Sequence, residues 1–227
     1  MERVFRRGKF IRVDLEGGCG MAVHLRMTGW LGVLDSSARD PKQEPYIRLR
    51  MLLDDGKDTL VFRDVRTFGR VWAGKTGKLE AMKSLAKLGP EPLTIDPETF
   101  YQRVHAKRAR LKPLLLNQEF LAGVGNIYAD ESLFDSGLHP LTNTTRLKRK
   151  RADALLASIQ KILNAAIKAG GSSIDDFLHP DGEPGWFQRE LMVYGREGQP
   201  CKRCGTAIKR FVLGQRGTWF CPKCQRK

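Results

Sequence analysis

Near its C-terminal end the 227-residue chain carries two C-x2-C pairs, Cys201-Lys202-Arg203-Cys204 and Cys221-Pro222-Lys223-Cys224, separated by sixteen residues. No other feature restricts the fold as tightly. Each pair predicts a tight knuckle that presents two thiolates, and the residues between predict a hairpin that brings the knuckles together. Four thiolates complete the tetrahedral shell of one Zn2+ and leave no open position, so the expected role is structural. Two disulfides or four free thiols are the alternative, and an iron–sulfur cluster is chemically possible, although this spacing suits it less. The compartment decides between them. No run of eighteen apolar residues spans a membrane, and Met1-Glu2-Arg3-Val4-Phe5-Arg6-Arg7 lacks the apolar core of a secretory signal. The expectation is therefore a cytoplasmic, nucleoid-associated protein without a membrane partner, in which thiols stay reduced and bind metal. A segment this small buries little surface, so its fold should depend on the ion.

Charge points to the partner. Forty Lys and Arg against 25 Asp and Glu leave a net charge of +15, and each cation set against a phosphate releases a condensed counterion. Nucleic acid is the favoured partner class; RNA and an anionic membrane surface carry the same charge logic. Between the knuckles, Lys209, Arg210 and Arg216 alternate with Phe211, Trp219 and Phe220, a composition suited to a nucleic-acid finger. Cys19, the fifth cysteine, reads as a small apolar filler.

The remaining chain changes character once. Phe10–Leu15 and Tyr46–Met51 alternate apolar and charged residues, and 21–25, 31–34, 59–63 and 70–72 are further strand candidates divided by turn signals such as Glu16-Gly17-Gly18. An antiparallel β-rich domain over 1–88 follows. Leu88-Gly89-Pro90-Glu91-Pro92-Leu93 reads as a linker. Asp96-Pro97-Glu98 then supplies a cap, a first-turn proline and an acid for a helix to about Arg108. Leu155, Ile159, Ile162, Leu163, Ala166 and Ile167 mark one face of a second helix that stops at Gly170-Gly171. Its basic start, Lys148-Arg149-Lys150-Arg151, reads as a solvated face. The stretch 170–185 predicts a functional loop. A helical domain over 89–195 and a finger over 196–227 complete an α+β multidomain chain.

Seven segments resemble the formamidopyrimidine-DNA glycosylase/endonuclease VIII family, its formamidopyrimidine branch in particular. They are 6–10 (RRGKF), 24–29 (HLRMTG), 64–69 (DVRTFG), 89–93 (GPEPL), 123–129 (GVGNIYA), 190–196 (ELMVYGR) and 215–218 (QRGT), in the family's order from end to end. The resemblance implies a β-sandwich domain shortened at its N-terminus, a helix–two-turn–helix domain and a four-cysteine zinc finger. It implies a monomer that binds double-stranded damaged DNA, extrudes an oxidised purine such as 8-oxoguanine or a formamidopyrimidine, excises it and nicks the abasic site. Met27, Arg66 and Phe68 would fill the gap, which suits their chemistry: Met and Phe replace lost stacking and Arg can hydrogen-bond the orphaned base. From the residues alone, Met27 and Phe68 read as core and Arg66 as a surface charge. Lys9 and Arg216 would serve the catalytic centre, with Arg216 on the lesion phosphate; Lys9, His24, Lys107 and Lys112 would contact DNA phosphates. Asn126 would bind phosphate at a helix N-terminus, where the residues alone suggest an ordinary N-cap. The loop 170–186 would close over the flipped base.

Two departures accompany the resemblance. The family's nucleophile is an N-terminal proline followed by a glutamate, whereas this sequence opens Met1-Glu2-Arg3-Val4 and enters the family pattern at Phe5. A mis-assigned start codon, a truncated gene and a noncatalytic, zinc-dependent damage-binding paralogue all produce that opening. The expectation for the residues as given is lesion binding without base excision. In the stretch 41–46, where the family often places a DNA-contacting histidine, Gln43, Glu44 and Tyr46 stand instead.

Overall fold

The computed structural model describes residues 1–35, 37, 44–53, 56–172 and 185–226. The chain forms two compact units, 1–86 with 169–188 and 87–168 with 189–227.

The first unit holds two antiparallel sheets. Strands β1 (Arg3–Arg7), β2 (Phe10–Leu15), β3 (Cys19–His24) and β7 (Arg70–Lys75) form one in the order β1-β2-β3-β7. Strands β4 (Gly29–Asp35), β5 (Ile47–Leu52) and β6 (Asp58–Asp64) form the other in the order β4-β6-β5. Phe10, Val13, Met21 and Val23 of the first sheet, and Trp30, Val61 and Phe62 of the second, are buried, and so is Arg12 of β2, where the alternation read from the sequence expects a solvent-facing charge. Helices α1 (Thr76–Glu80) and α2 (Lys83–Ala86) follow β7, burying Leu79 and Leu85. Cys19 departs from expectation: it opens β3 facing solvent and fills no gap.

The second unit is helical with a metal-type finger. Helix α3 (Pro97–His105) starts as the sequence predicts, with the Asp96 carboxylate accepting from Thr99 N at 2.9 Å. It ends three residues before Arg108 because the Thr144 hydroxyl donates to Lys107 O and accepts from Ala109 N at 3.1 Å, drawing the chain off the helical path. Helices α4 (Leu111–Leu116), α5 (Asn126–Asp135) and α6 (Arg149–Lys168) pack around Phe100, Leu111, Leu115, Leu121, Leu133, Leu155 and Ile159. Residues 88–93 are no loose linker. Gly89 N donates to Gln118 O, Ala122 N to Pro90 O and Gln160 Nε2 to Pro92 O, so the segment is laced onto the helices. The finger hairpin, β8 (Lys209–Leu213) and β9 (Arg216–Phe220), follows with its own cluster of Phe134, Val193 and Ile208 around Cys201 and Cys221.

No helix among the described residues is long and apolar enough to cross a membrane. Residues 173–184 of the expected capping loop, and Gln43, lie outside the described residues.

Candidate nucleic-acid interface and metal centre

In the first unit, the ends of strands carry a cluster of unusual exposure. Met27 is 56% and Phe68 54% exposed, and the Arg66 guanidinium lies 3.9 Å from the Met27 sulfur. Large apolar side chains gain nothing for folding when turned to water, so this pair on two hydrogen-bonded loops is a candidate contact surface. This overturns the reading of Met27 and Phe68 as core.

One buried residue, Asp64 at the end of β6, builds both loops. Its carboxylate accepts from the Thr28 hydroxyl on the 25–28 loop, and from Gly69 N at 2.6 Å and Arg66 N at 3.3 Å on the 65–69 loop. Burial pushes its pKa up, but the Thr28, Gly69 and Arg66 hydrogen bonds and the Arg48 charge outweigh it and hold the carboxyl below its usual range. A Cβ on Gly69 would lie 2.5 Å from the Phe62 ring and 3.0 Å from the Asp64 carboxylate, so only glycine closes this loop. Arg26 and Thr67 sit in the left-handed region at φ 58° and 56°, conformations that non-glycine residues keep only when surrounding contacts enforce them.

Beside this cluster, Lys9 is exposed in the β1–β2 turn. His24, paired with Phe10 across β2 and β3, meets the Phe10 ring edge-on at 4.8 Å. Its pKa falls from 6.5 to about 4 through burial first, then the Arg26 and Lys9 charges. Arg26 N donates to Nδ1 at 3.1 Å, which leaves the proton on Nε2. The ring is thus a neutral hydrogen-bond donor. Because folding lowers this pKa, its contribution to stability is complete above 6.5 and is lost as the pH falls toward 4. Ring 15N chemical shifts are expected to show the Nε2–H tautomer down to about pH 5; a His24 midpoint near that of free imidazole contradicts this.

In the second unit, α4 and α5 are joined by two turns. The Gln118 side chain staples them, donating to Leu116 O at 2.9 Å and Val124 O at 3.0 Å and accepting from Gly123 N at 2.9 Å. The turns deliver Asn126 to the first position of α5, where backbone N–H groups have no intrahelical acceptor and the helix dipole favours an anion. Its Nδ2 donates to Gly217 O at 3.1 Å, fixing the finger beside the helix start. Arg216, exposed at the head of β9, directly precedes this glycine in the chain. A Cβ on Gly217 would lie 2.7 Å from the Trp219 ring, so the packing of Trp219 over its own hairpin favours glycine there.

Lys112 corrects the sequence expectation. It is 0% exposed, and its ammonium donates to Asp130 Oδ2 at 2.8 Å, Gly217 O at 2.8 Å and Thr218 Oγ1 at 2.9 Å. Three hydrogens meet three acceptors, leaving none for a phosphate. Lys112 is an internal tie between α4, α5 and the finger. Lys107, by contrast, is exposed after α3. Two acids that the sequence reading passed over complete the frame. Asp130 also accepts from Trp219 N at 3.1 Å; its burial raises the pKa to about 7 against the opposing pull of Lys112. Glu131 accepts from Met192 N, Val193 N and Tyr194 N at 2.9–3.0 Å, docking the 190–196 segment on α5. Adjacent carboxylates inside the apolar run of α5 were the available signal.

The four finger cysteines bring their sulfurs within 4.8 Å of one another, with Cys201 to Cys224 at 3.9 Å and Cys204 to Cys221 at 3.5 Å. A tetrahedron with metal–sulfur bonds near 2.3 Å has edges of about 3.8 Å, so the set fits zinc. Cys201, Cys204, Cys221 and Cys224 hold one structural zinc.

Comparisons with known proteins agree along the whole chain. Residues 1–71 match the formamidopyrimidine-DNA glycosylase N-terminal domain, 88–177 the formamidopyrimidine-DNA glycosylase H2TH domain, and 198–226 the zinc finger found in FPG and IleRS. A formamidopyrimidine-DNA glycosylase of Solibacter usitatus is 42% identical over 98% of this chain and 80% of its own length. Its Brevibacillus brevis counterpart is 41% identical over 100% and 81%. The MutM (Fpg) crystal structure from Thermus thermophilus superposes with a TM-score of 0.87 at 40% identity, covering 98% of this chain and 82% of that one. Lactococcus lactis Fpg in complex with abasic-site DNA gives 0.87 at 36%, covering 99% and 81%. By these matches the chain belongs to the formamidopyrimidine-DNA glycosylase family of base-excision-repair DNA glycosylases.

Proposed function

We propose that this chain engages double-stranded DNA at oxidised purines, formamidopyrimidines and 8-oxoguanine among them, and at the abasic sites left by their removal. The observation that carries this reading is the exposed trio of Met27, Arg66 and Phe68 on the two loops that Asp64 sets. Extruding a base costs a few kcal/mol of stacking and pairing. Met27 and Phe68 offset the lost stacking, and Arg66 offers hydrogen bonds to the unpaired base. Relatives of the same fold have been solved with Fapy-dG DNA, abasic-site DNA and carbocyclic 8-oxo-G DNA, which supports the substrate class.

The remaining residues hold the backbone. Asn126 and the first turn of α5 donate to one phosphate, and Arg216 adds a charge there that lowers the cost of breaking the strand at the lesion. Lys9 supplies charge and His24 a neutral Nε2–H donor to a phosphate; Lys107 adds a further exposed cation.

Fluorescence anisotropy tests the reading. The chain is expected to bind a duplex containing a tetrahydrofuran abasic analogue about tenfold or more tighter than the intact duplex, and Met27→Ala/Phe68→Ala should bring the ratio close to one. Affinity for intact duplex should change by no more than about twofold, because phosphate contacts remain. Equal affinity of the wild-type chain for both duplexes, or a ratio untouched by the double substitution, overturns the proposal.

A further inference from the structure

The helical unit contains a second cationic feature at the other end of α5. A cavity of about 790 Å3 opens where residues 137–138, the 141–148 segment and the second cysteine knuckle meet. Six of its lining residues are cations: Arg110, Arg146, Lys148, Arg151, Lys223 and Arg226. Among the described residues no carboxylate lines it, and none of the six forms an ion pair. Surface cations on a folded protein are ordinarily interspersed with acids; concentrating six around one concavity raises the local potential and destabilises the chain through mutual repulsion.

Two details show that the cavity is shaped for more than solvent. Arg151 Nη2 donates to Gly137 O at 3.0 Å and Arg110 Nη1 to Leu141 O at 2.9 Å, so two guanidinium groups are anchored with donors to spare. The hydroxyl oxygen of Thr142 is shielded from solvent and has no hydrogen-bond partner. The start of α6 adds to the field. Its first turn contains no acid and begins Arg149-Lys150-Arg151 after Lys148, the arrangement a helix dipole disfavours. Arg149 is neutralised by Asp153 and Glu98, whereas Lys148 and Arg151 face the cavity uncompensated. A bound anion offsets these uncompensated charges.

We propose that this cavity is a binding site for adjacent phosphate groups, separate from the phosphate site at Asn126. The two lie at opposite ends of α5, whose ten residues span about 15 Å. The chemistry recognised is two or more linked phosphates, supplied by a free oligophosphate or by the DNA backbone beyond the lesion. The basic run 148–151, which the sequence alone presents as a solvated face, thereby acquires a partner.

Arg146→Ala/Lys148→Ala/Lys223→Ala removes three lining charges from exposed positions whose side chains make no hydrogen bond among the described residues. Calorimetric titration with inorganic tripolyphosphate, with zinc content assayed before and after, is expected to show saturable one-site binding to the wild-type chain and at least about tenfold weaker binding to the variant, as loss of charge-assisted contacts requires. Anisotropy with lesion duplexes of about 15 and 40 base pairs separates the sources. If the backbone is the source, only the longer duplex loses affinity in the variant; if a free oligophosphate is, neither does. Either pattern, with the tripolyphosphate difference, supports the site. Tripolyphosphate that does not bind, or binds both proteins equally, overturns it. Because the Asn126 site and the Met27 trio are intact in the variant, lesion preference on the short duplex reads the proposed function independently.

Discussion

Cys221→Ser is expected to release the zinc, unfold the finger and weaken lesion-duplex binding by about a hundredfold or more, equivalent to ~2.7 kcal/mol. Structural zinc in fingers contributes on the order of 10–16 kcal/mol of apparent binding free energy, and removing one of the four thiolates forfeits a large share of it. Cys221 is fully buried and lies in one cluster with Phe134, Val193 and Ile208, so the apolar packing of the finger disperses with the metal. The damage travels inward. Trp219 N holds Asp130, and Gly217 O receives both Lys112 and Asn126; once β9 melts, the start of α5 loses the contacts that place Arg216 beside it. Zinc content, near-ultraviolet circular dichroism of the tryptophans and duplex affinity should fall together. A metal-free variant that keeps its tryptophan signal and its affinity would remove the structural role of the ion.

Lys112→Met is the second large effect, with an expected loss of ~3–5 kcal/mol, because it leaves the Asp130 carboxylate buried without its counter-ion. For a chain of this length that lowers the melting temperature by about 10 °C or more. The loss should depend on pH in a defined direction. Burial already raises the Asp130 pKa to about 7, and removing the neighbouring ammonium raises it further. A group that binds its proton more tightly when folded stabilises fully below its unfolded pKa and loses that contribution as the pH climbs through the folded value. The variant should therefore approach wild-type stability near pH 5 and fall away by pH 8. Replacing both partners, Lys112→Met/Asp130→Leu, should recover part of the loss, with the Trp219 amide still short of its acceptor. Thermal melts across pH check this. A variant as stable as wild type at pH 8, but with a reduced salt slope of DNA binding, would return Lys112 to the phosphate-contact role that its sequence neighbourhood suggests.

That misreading of Lys112 marks where sequence legibility ends. Strand alternation in β2 and β5, the Asp96 cap and the cysteine spacing are local signals, and each element they predict stands close to its expected bounds. The finger is read from spacing because a metal shell imposes geometry on a few neighbouring residues. Lys112 and Asp130 are eighteen residues apart, and Lys112 reaches Thr218 more than a hundred residues away. A lysine in a basic stretch carries no local mark of such burial. The same holds for Asp64, whose partner Thr28 lies on another strand end, and for Glu131, which meets backbone amides sixty residues on. Helix α3 stops early because of a threonine hydroxyl that its own sequence does not contain. The exposure of Met27 and Phe68 was legible only through the family resemblance, since hydropathy alone assigns both to the interior.

The left-handed turns at Arg26 and Thr67 have a consequence for how such a protein searches. Holding two ordinary residues in sparsely populated backbone wells requires a scaffold that permits little else, and the carboxylate beneath them provides it. The probing side chains consequently arrive already arranged, and their ordering entropy is settled when the polypeptide folds instead of at each encounter. Under the proposed function, a molecule built this way meets each base-pair step with its loops preformed, so little ordering cost accompanies the encounter.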